Sequence, residues 1–451
     1  MNIEITKEFI NLLSERINEQ NAKAVKEMLE GLHPADIAEL FDELSTKEQS
    51  FVIDLLENDT SADILLELEE DDRKKLLLTY SAKEIANEVI NEMDTDDAVD
   101  IINELSDRKK VEVIAQIEDK EQAKEIVELL RYDEDTAGGL MGKELIKVNK
   151  NWSVVTSIKQ MRKQAEDLEE VFSIYVVDDE DVLLGTLSLK KFLTTSANTK
   201  VEDVYNDKIQ YVTINMSDIE VAKVIEKYDL YEVPVVDELF RLAGVITVDD
   251  VIDVIREDAE EDYQLAAGIT QNVDSDDNIW KLTKARLPWL LIGMLGGLGA
   301  AGIMNVFQES MKNYLILLSF VPLIQSSAGN VGIQSSAIVV QGLANGTIKG
   351  SLFGGLGKEF LLGLLNGLGI AIFVFFISHF VFNAPYLVSL SICVALITVI
   401  VNAALIGSAI PLLLHSRGLD PAVSTGPFIT TSNDILGILI YFSIAKLILG
   451  F

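Results

Sequence analysis

Charged residues are distributed very unevenly along this 451-residue chain. Residues 1–286 contain 68 acidic and 32 basic residues, whereas residues 287–451 contain 4 acidic and 5 basic ones. A charge at the centre of a bilayer costs roughly 2.5–3.5 kcal/mol on insertion scales, so a long segment with almost no charge is typical of membrane spans. The distribution predicts an acidic, water-exposed part followed by a membrane part.

The second part contains five apolar stretches, each long enough to cross a hydrocarbon core of roughly 30 Å. They lie at about 287–307, 314–343, 356–382, 386–414 and 424–449. The chain starts with a charged, helical sequence that lacks the apolar core of a signal peptide, so we expect the N-terminal part to lie in the cytoplasm. Basic residues favour the inner side, with Lys281, Lys284, Arg286, Lys349, Lys358 and Arg417 inside and Lys312 and Lys446 outside. We therefore predict a multi-pass plasma-membrane protein with five spans and an external C-terminus.

The acidic part is predicted to contain three domains and a connector. Residues 1–131 show apolar residues at three- and four-residue spacing in repeated short segments, which indicates an all-α helical-repeat domain. Residues 132–198 and 199–257 each combine a helical pattern with β-branched runs, which indicates two similar α/β units. The strand-like runs are Phe172–Val177, Leu183–Leu189, Tyr231–Val236 and Leu242–Val248. Residues 258–285 are predicted to form a connecting helix, and residues 286–451 the membrane domain.

Several functional classes are disfavoured by residue types that the chain lacks. The single cysteine, Cys393, excludes a disulfide scaffold and a cysteine-cluster metal site, and three scattered histidines argue against a zinc or iron centre. A net charge of −36 on residues 1–286 argues against a nucleic-acid partner. Gly357-Lys358 is followed by Glu359 rather than Ser or Thr, so no phosphate-binding loop is present. Catalysis finds no support, and we predict that the protein is not an enzyme.

Asp434 is the strongest single indication of function. It is the only acid that the sequence places well inside a predicted span, within Thr430-Thr431-Ser432-Asn433-Asp434. Because an acid at that depth is costly, it normally faces a polar cavity and serves transport. The alternative is a protonated or hydrogen-bonded aspartate that holds helices together.

The second predicted span is unusually polar and rich in small residues between Gln325 and Ser336. We expect the backbone to unwind there and to offer carbonyl oxygens to a cation, with Asn330 lining the pathway. The alternative is close helix packing by small residues, which we favour for Ser335 and Ser336.

Clusters of acids on the soluble part could bind a divalent cation. One lies in a single segment and comprises Asp249, Asp250, Asp253, Asp258, Glu260, Glu261 and Asp262. Another places Asp96 and Asp100 one turn apart on a predicted helix that also carries Asp97. Oxygen ligands alone favour Mg²⁺ or Ca²⁺ over zinc or copper. The alternative is an ordinary solvated acidic face.

Over nearly its whole length the chain resembles the MgtE family of magnesium channels or transporters. The matching motifs are His33-Pro34-Ala35-Asp36, Tyr132–Met141, Pro234–Asp237, Gly244–Asp250, Ala328–Gly332 with Gln334, Asp420-Pro421-Ala422, and Asn433-Asp434 through Gly437 to Tyr441-Phe442. The resemblance implies a helical N domain, a tandem CBS pair, a connecting or plug helix and a five-helix transmembrane domain that dimerises in the lipid bilayer. It also implies that Asp434 binds hydrated Mg²⁺ and that Thr430 contributes a backbone oxygen. The acids matching regulatory Mg²⁺ ligands between the N, CBS and plug regions are Asp96, Asp100, Asp229, Asp250, Asp253, Asp258, Glu261, Asp262 and Asp420.

The functional expectation is a homodimeric Mg²⁺ channel for uptake that cytosolic Mg²⁺ closes. Mg²⁺ is then both substrate and regulator. Two alternatives stay open. One is a carrier that couples divalent-cation transport to a proton or sodium gradient. The other is a regulator whose CBS pair responds to ATP.

Overall fold

The computed structural model describes residues 6–166, 168, 171–274, 277–309, 312–345, 347–348, 352–422 and 426–450. Lys349, one of the basic residues used above for the membrane orientation, lies outside these residues. The chain divides into two compact units, Met1–Arg256 and Glu257–Phe451. Each unit has its own apolar core.

The N-terminal part of the first unit consists of short helices, as the apolar periodicity predicts. Serines start several of them: Ser45 and Ser81 form capping boxes with Glu48 and Glu84, which occupy backbone amides left free at a helix start. The helices are α1 Lys7–Asn18, α2 Ala22–Leu29, α3 Pro34–Phe41, α4 Thr46–Ile53, α5 Asn58–Leu66, α6 Glu70–Leu77, α7 Ala82–Glu84, a π-helical turn Ile85–Val89, a 3₁₀ turn Ile90–Glu92, α8 Thr95–Asn103, α9 Asp107–Ile114 and α10 Lys120–Leu129. Their apolar faces are buried together in one core.

Two α/β units complete the first unit, each with a three-stranded mixed sheet. The first contains α11 Ala137–Leu140, β1 Ile146–Asn149, α12 Val154–Gln164, β2 Ile174–Val177, β3 Leu183–Thr186, α13 Leu189–Thr194 and a 3₁₀ turn Val201–Asp203. The second contains β4 Val212–Thr213, α14 Asp218–Tyr228, β5 Glu232–Val236 and β6 Leu242–Thr247. In each sheet the central strand pairs parallel to the first and antiparallel to the third. All four predicted strands are present with trimmed ends, whereas β1 and β4 were not predicted.

The connector differs from the predicted helix over 258–285. Helix α15 runs from Val248 to Ala267, so it starts ten residues earlier and ends well before 285. The described residues from 268 to 278 are not helical, and the next helix, α16, begins at Ile279. The first membrane helix therefore begins inside the range predicted for the connector.

The second unit contains five helices that are long and apolar enough to span a membrane, which confirms the predicted number. They are α16 Ile279–Gln308; α17 Ile316–Ser319 with α18 Val321–Ala344; α19 Leu352–Phe376 with a π-helical turn Ile377–Val381; α20 Tyr386–His415; and α21 Gly426–Leu449. Helix α20 is central, because it packs against α18, α19 and α21.

The expectation of an unwound backbone in the second span is wrong. Helix α18 continues without a break through the polar segment from Gln325 to Ser336. The physical reason is close packing: a β-carbon on Gly407 of α20 would collide with the carbonyl oxygen of Gly332. Small residues let the helices approach without loss of their own backbone hydrogen bonds.

Candidate functional site

The second and fifth spans pack closely at the predicted ion pathway. A β-carbon on Gly329 would lie 3.4 Å from Thr430 Cγ2, and one on Gly332 would collide with the Asn433 side chain. Asn433 is 1% exposed, and its amide donates a hydrogen bond to the carbonyl oxygen of Ala328 at 3.4 Å. This amide contact fixes α21 against α18 one residue before Asp434.

Asn330, Thr430 and Asp434 lie on this closely packed pair of helices. Asn330 is exposed on α18, and Asp434 and Thr430 are partly exposed on α21. The Thr430 hydroxyl donates to the Gly426 carbonyl at 3.0 Å. Because α21 is a continuous helix, the Thr430 carbonyl points towards the Asp434 amide one turn later. These three residues stay predicted ion ligands, brought onto neighbouring helices with side chains that the bundle core does not enclose.

A buried acid in the membrane unit, Glu359, was not among the predicted site residues. Glu359 on α19 is only 8% exposed, and its Oε2 accepts a hydrogen bond from Ser335 Oγ of α18 at 2.9 Å. Ser335 therefore does more than pack, whereas the buried Ser336 hydroxyl has no hydrogen-bond partner among the described residues. The available signal was Glu359 itself, four residues into the helix segment Gly355–Val381.

The first unit brings the acids of α8 together with Asp250, at the start of α15. Burial, then the charges of Asp250 and Asp97, raises the pKa of Asp96 well above its usual range. Burial followed by the neighbouring acids raises the pKa of Asp97 to about 7. Burial also raises the pKa of Asp100 to about 7, although the charge of Arg73 opposes this. Carboxylates that raise one another's pKa in this way favour a cation between them.

Asp250 is held in a fixed orientation within this cluster. Its Oδ2 accepts hydrogen bonds from the Thr247 amide at 3.1 Å and from the Thr247 hydroxyl at 2.6 Å. These bonds favour the ionised form, yet burial still raises the pKa of Asp250 to about 6. The predicted ligands Asp96, Asp100 and Asp250 are thus gathered from segments about 150 residues apart in sequence.

Glu144 also belongs to this cluster, although it was not among the predicted ligands. Its carboxylate accepts hydrogen bonds from the Thr95 amide at 3.0 Å and the Thr95 hydroxyl at 2.9 Å. A β-carbon on Gly142 would lie 2.8 Å from Asp96 Oδ2 and 2.9 Å from Glu144 Oε2, so Gly142 leaves room for both carboxylates. An isolated glutamate in a connecting segment carries no periodic signal that could identify it.

Other predicted regulatory acids are placed differently. Asp229 ends α14 in the left-handed conformation, at φ 51°, with an exposed side chain. Asp253 pairs with Arg256 at 3.1 Å, and its charge contributes to the raised pKa of Asp250. Both stay predicted ligands.

The second unit contains its own acidic group on the last turns of α15. Burial, then the charges of Asp420, Asp258 and Glu261, raises the pKa of Asp262 to about 6. Asp420 lies just before α21, and its carboxylate accepts a hydrogen bond from the Ala422 amide at 2.8 Å. The charges of three predicted ligands, Asp258, Glu261 and Asp420, therefore act on a fourth, Asp262, within this unit.

The same end of α15 contacts the start of α21. Gly426 has a φ of +48°, and a β-carbon there would collide with the carbonyl oxygen of Ala266. A β-carbon on Gly268 would collide with Pro427. The acidic end of α15 thus touches the first turn of the helix that carries Thr430 and Asp434.

The described carboxylates do not form a site in which protein side chains alone would coordinate a metal ion. Among the residues that the structure describes, no group of three or more His, Cys, Asp or Glu side chains is placed to hold a metal ion. Mg²⁺ dehydrates reluctantly and is commonly held by one or two carboxylates with several waters retained. The oxygen-only acidic groups fit that mode of binding.

Taken together, these features define a class of protein: a multi-pass membrane protein with acidic cytoplasmic domains and an acid on a small-residue helix pair in the membrane. The chain matches a family described as divalent cation transporter over residues 321–444, the MgtE intracellular N domain over 32–135, and the CBS domain over 137–198 and 201–257. The chain belongs to the MgtE family of magnesium transporters.

Known proteins support this membership over nearly the full length. Magnesium transporter MgtE of Thermus thermophilus is 32% identical over 97% of this chain and 98% of its own, and that of Enterococcus faecalis is 37% identical over 72% of each. The crystal structure of the cytosolic domain of the Mg²⁺ channel MgtE in complex with ATP covers 54% of this chain and 99% of its own, with 33% identity and a TM-score of 0.51. Inosine-5'-monophosphate dehydrogenases of Helicobacter pylori match 39% of the chain at 28% identity. A match of this extent does not indicate that the chain has dehydrogenase activity.

Proposed function

We propose that this protein is a homodimeric Mg²⁺ channel for Mg²⁺ uptake, closed by cytosolic Mg²⁺. The observation that carries the proposal is the placement of Asp434, a partly exposed carboxylate on α21 packed against the small-residue face of α18. An ionisable residue at membrane depth marks an ion pathway by default. The length and identity of the similarity to MgtE transporters support Mg²⁺ as the transported ion.

Permeation follows from the chemistry of hydrated Mg²⁺. In a dimer, two copies of Asp434 near a common axis would repel each other unless a cation lay between them, and a divalent ion offsets both charges. Asn330 and the Thr430 carbonyl offer further oxygen atoms to the water shell of the ion. The membrane potential alone drives inward movement, worth roughly 4.6 kcal/mol for a divalent ion at 100 mV.

Gating follows from the acidic groups of the cytoplasmic part. Without Mg²⁺, ionised Asp96, Asp97, Asp100 and Asp250 oppose one another in the first unit, and the acids of α15 do so in the second. Bound Mg²⁺ offsets these charges and favours a closed arrangement. Shifting a two-state equilibrium from 1:99 to 99:1 takes roughly 5.5 kcal/mol of differential binding, which four ions at about 1.4 kcal/mol each would supply. The contact between α15 and the start of α21 gives this binding a direct route to the helix of Asp434.

The CBS pair is also proposed to bind ATP. The support is the similar cytosolic domain whose structure is described as a complex with ATP. ATP binding is tested by measuring the thermal unfolding midpoint of the full-length protein at increasing ATP concentrations. A midpoint that does not move at millimolar ATP would contradict it.

The experiment that tests transport is Mg²⁺ flux into proteoliposomes at fixed potential, with Mg²⁺ varied on the side of the cytoplasmic domains. Flux should fall steeply as that Mg²⁺ rises and should vanish in D434A, while D207N, at an exposed acid that is not a predicted ligand, is the control outside the membrane. The triple variant D96N/D250N/D253N should conduct at Mg²⁺ concentrations that close the unmodified protein. Normal flux in folded D434A would reject the pore assignment. Flux that depends on a proton or sodium gradient would favour a coupled carrier instead.

A further inference from the structure

The polar segment of the second span is held from three sides. Helix α21 holds it through the hydrogen bond from Asn433 to the Ala328 carbonyl. Helix α20 holds it through the close approach of Gly407 to the Gly332 backbone. Helix α19 holds it through the hydrogen bond from Ser335 to Glu359 at 2.9 Å, the one contact of the three that involves a carboxylate. Asn330, a predicted ion ligand, lies within this segment and faces out of the core.

Burying a carboxylate in this place is physically expensive. Ser335 is 6% exposed and Glu359 is 8% exposed, so neither is solvated from the bundle surface. Packing alone would be served equally well by an apolar residue, because buried polar pairs are weak sources of stability. What a hydrogen bond to a carboxylate adds is direction: it fixes the rotation and height of one helix relative to its neighbour.

We propose that Glu359 is a positioning residue of the ion pathway, which holds α18 through Ser335 so that Asn330 keeps its place beside α21. This inference rests on the proposed transport function and extends it to a helix that carries none of the predicted ligands. Removal of the bond lets α18 rotate within its small-residue contacts, and the spacing of the oxygen atoms around the ion changes. The expected consequence is altered ion discrimination as well as slower flux.

The test compares five variants of the full-length protein in proteoliposomes: S335A, E359L, E359Q, the double variant S335A/E359Q and the control S336A. Glutamine keeps an oxygen that accepts the Ser335 hydroxyl, so E359Q should conduct Mg²⁺ within about twofold of the unmodified protein. S335A and E359L lose the bond to a charged group and should conduct about tenfold more slowly. Ser336 is the neighbouring buried hydroxyl, and S336A should behave like the unmodified protein.

The decisive readout is the ratio of Mg²⁺ flux to Ca²⁺ flux, each corrected for the amount of protein eluting as a folded species from size-exclusion chromatography. A purely structural role scales both fluxes together and leaves the ratio unchanged, whereas the positioning role changes it in S335A and E359L. If S335A alone does not fold because a carboxylate is left unpaired, S335A/E359Q lacks that charge and carries the test.

Two results would overturn the inference. In one, E359Q fails as severely as E359L while S335A is normal, which would mean that the charge and not the hydrogen bond is needed. In the other, all variants keep the Mg²⁺/Ca²⁺ ratio of the unmodified protein. Failure of the underlying transport proposal looks different, because D434A would then conduct normally whatever the state of Glu359.

Discussion

Replacement of Asp250 by Asn tests whether the acids of the first unit oppose one another in the absence of Mg²⁺. Burial raises the pKa of Asp250 to about 6, compared with about 3.9 for an unperturbed aspartate. At roughly 1.4 kcal/mol per pKa unit, this difference is on the order of 3 kcal/mol. Since the folded state has the higher pKa, the ionised carboxylate destabilises it: the penalty is fully present above pH 6 and is lost as the pH falls towards about 4.

Asparagine imitates the protonated acid at every pH and keeps an oxygen that accepts from Thr247. In metal-free solution at pH 8, D250N should therefore stabilise the first unit by up to about 3 kcal/mol. With saturating Mg²⁺ the order should shrink or reverse, because the unmodified protein gains binding free energy that the variant lacks.

Amide hydrogen exchange of α8 in the full-length protein measures this effect locally. Without Mg²⁺ at pH 8, exchange of the α8 amides should be about 10- to 100-fold slower in D250N than in the unmodified protein. Mg²⁺ should slow exchange strongly only in the unmodified protein. D207N is the matched control, because Asp207 is exposed and is not a predicted Mg²⁺ ligand. Exchange in D250N that is as fast as in the unmodified protein without Mg²⁺ would refute the reasoning.

Two further predictions concern contacts within each unit. Lys143, whose side chain is only 12% exposed, donates to Glu128 at 2.9 Å and to the Ala243 carbonyl at 2.7 Å. K143M should therefore speed hydrogen exchange of the α10 amides about tenfold. K147M should leave that exchange unchanged, because Lys147 pairs with Asp181 at an exposed position. Equal exchange in the two variants would contradict a stabilising role for Lys143. In the membrane unit, G332A should destabilise the fold by about 1–3 kcal/mol because the added methyl group collides with Asn433. The control is G297A, because a methyl group there meets open space. Thermal unfolding midpoints in detergent measure the difference, and equal midpoints for the two variants would reject this packing.

Much of the architecture could be predicted from local patterns. The apolar periodicity of segments such as Asp218–Tyr228 and the β-branched run that forms β5 persist in the structure, because short-range burial and capping decide them. The five spans follow from the near absence of charge after residue 286. Strand β4 was missed because two residues carry too little periodic signal, and β1 was missed because Lys147 and Asn149 interrupt its apolar residues.

For the candidate site, too, local features could be predicted from the sequence, whereas contacts between distant residues could not. Asp434, Asn330 and Asp96 stand out in sequence, since an acid or amide at membrane depth and acids one turn apart are local features. The partnership of Asp96 with Asp250 and Glu144, and that of Ser335 with Glu359, joins residues far apart in sequence. Such partnerships exist only once helices and strands have packed.

The sequence by itself determined which parts of this protein meet water, which meet lipid, and which residues are costly enough to imply a function. Only the tertiary structure decided that the second span stays helical, that Ser335 binds a buried carboxylate, and that acids from distant segments share one environment. The reason is physical: solvation and periodicity act along the chain, whereas the pairing of a buried polar group depends on whichever element is packed against it.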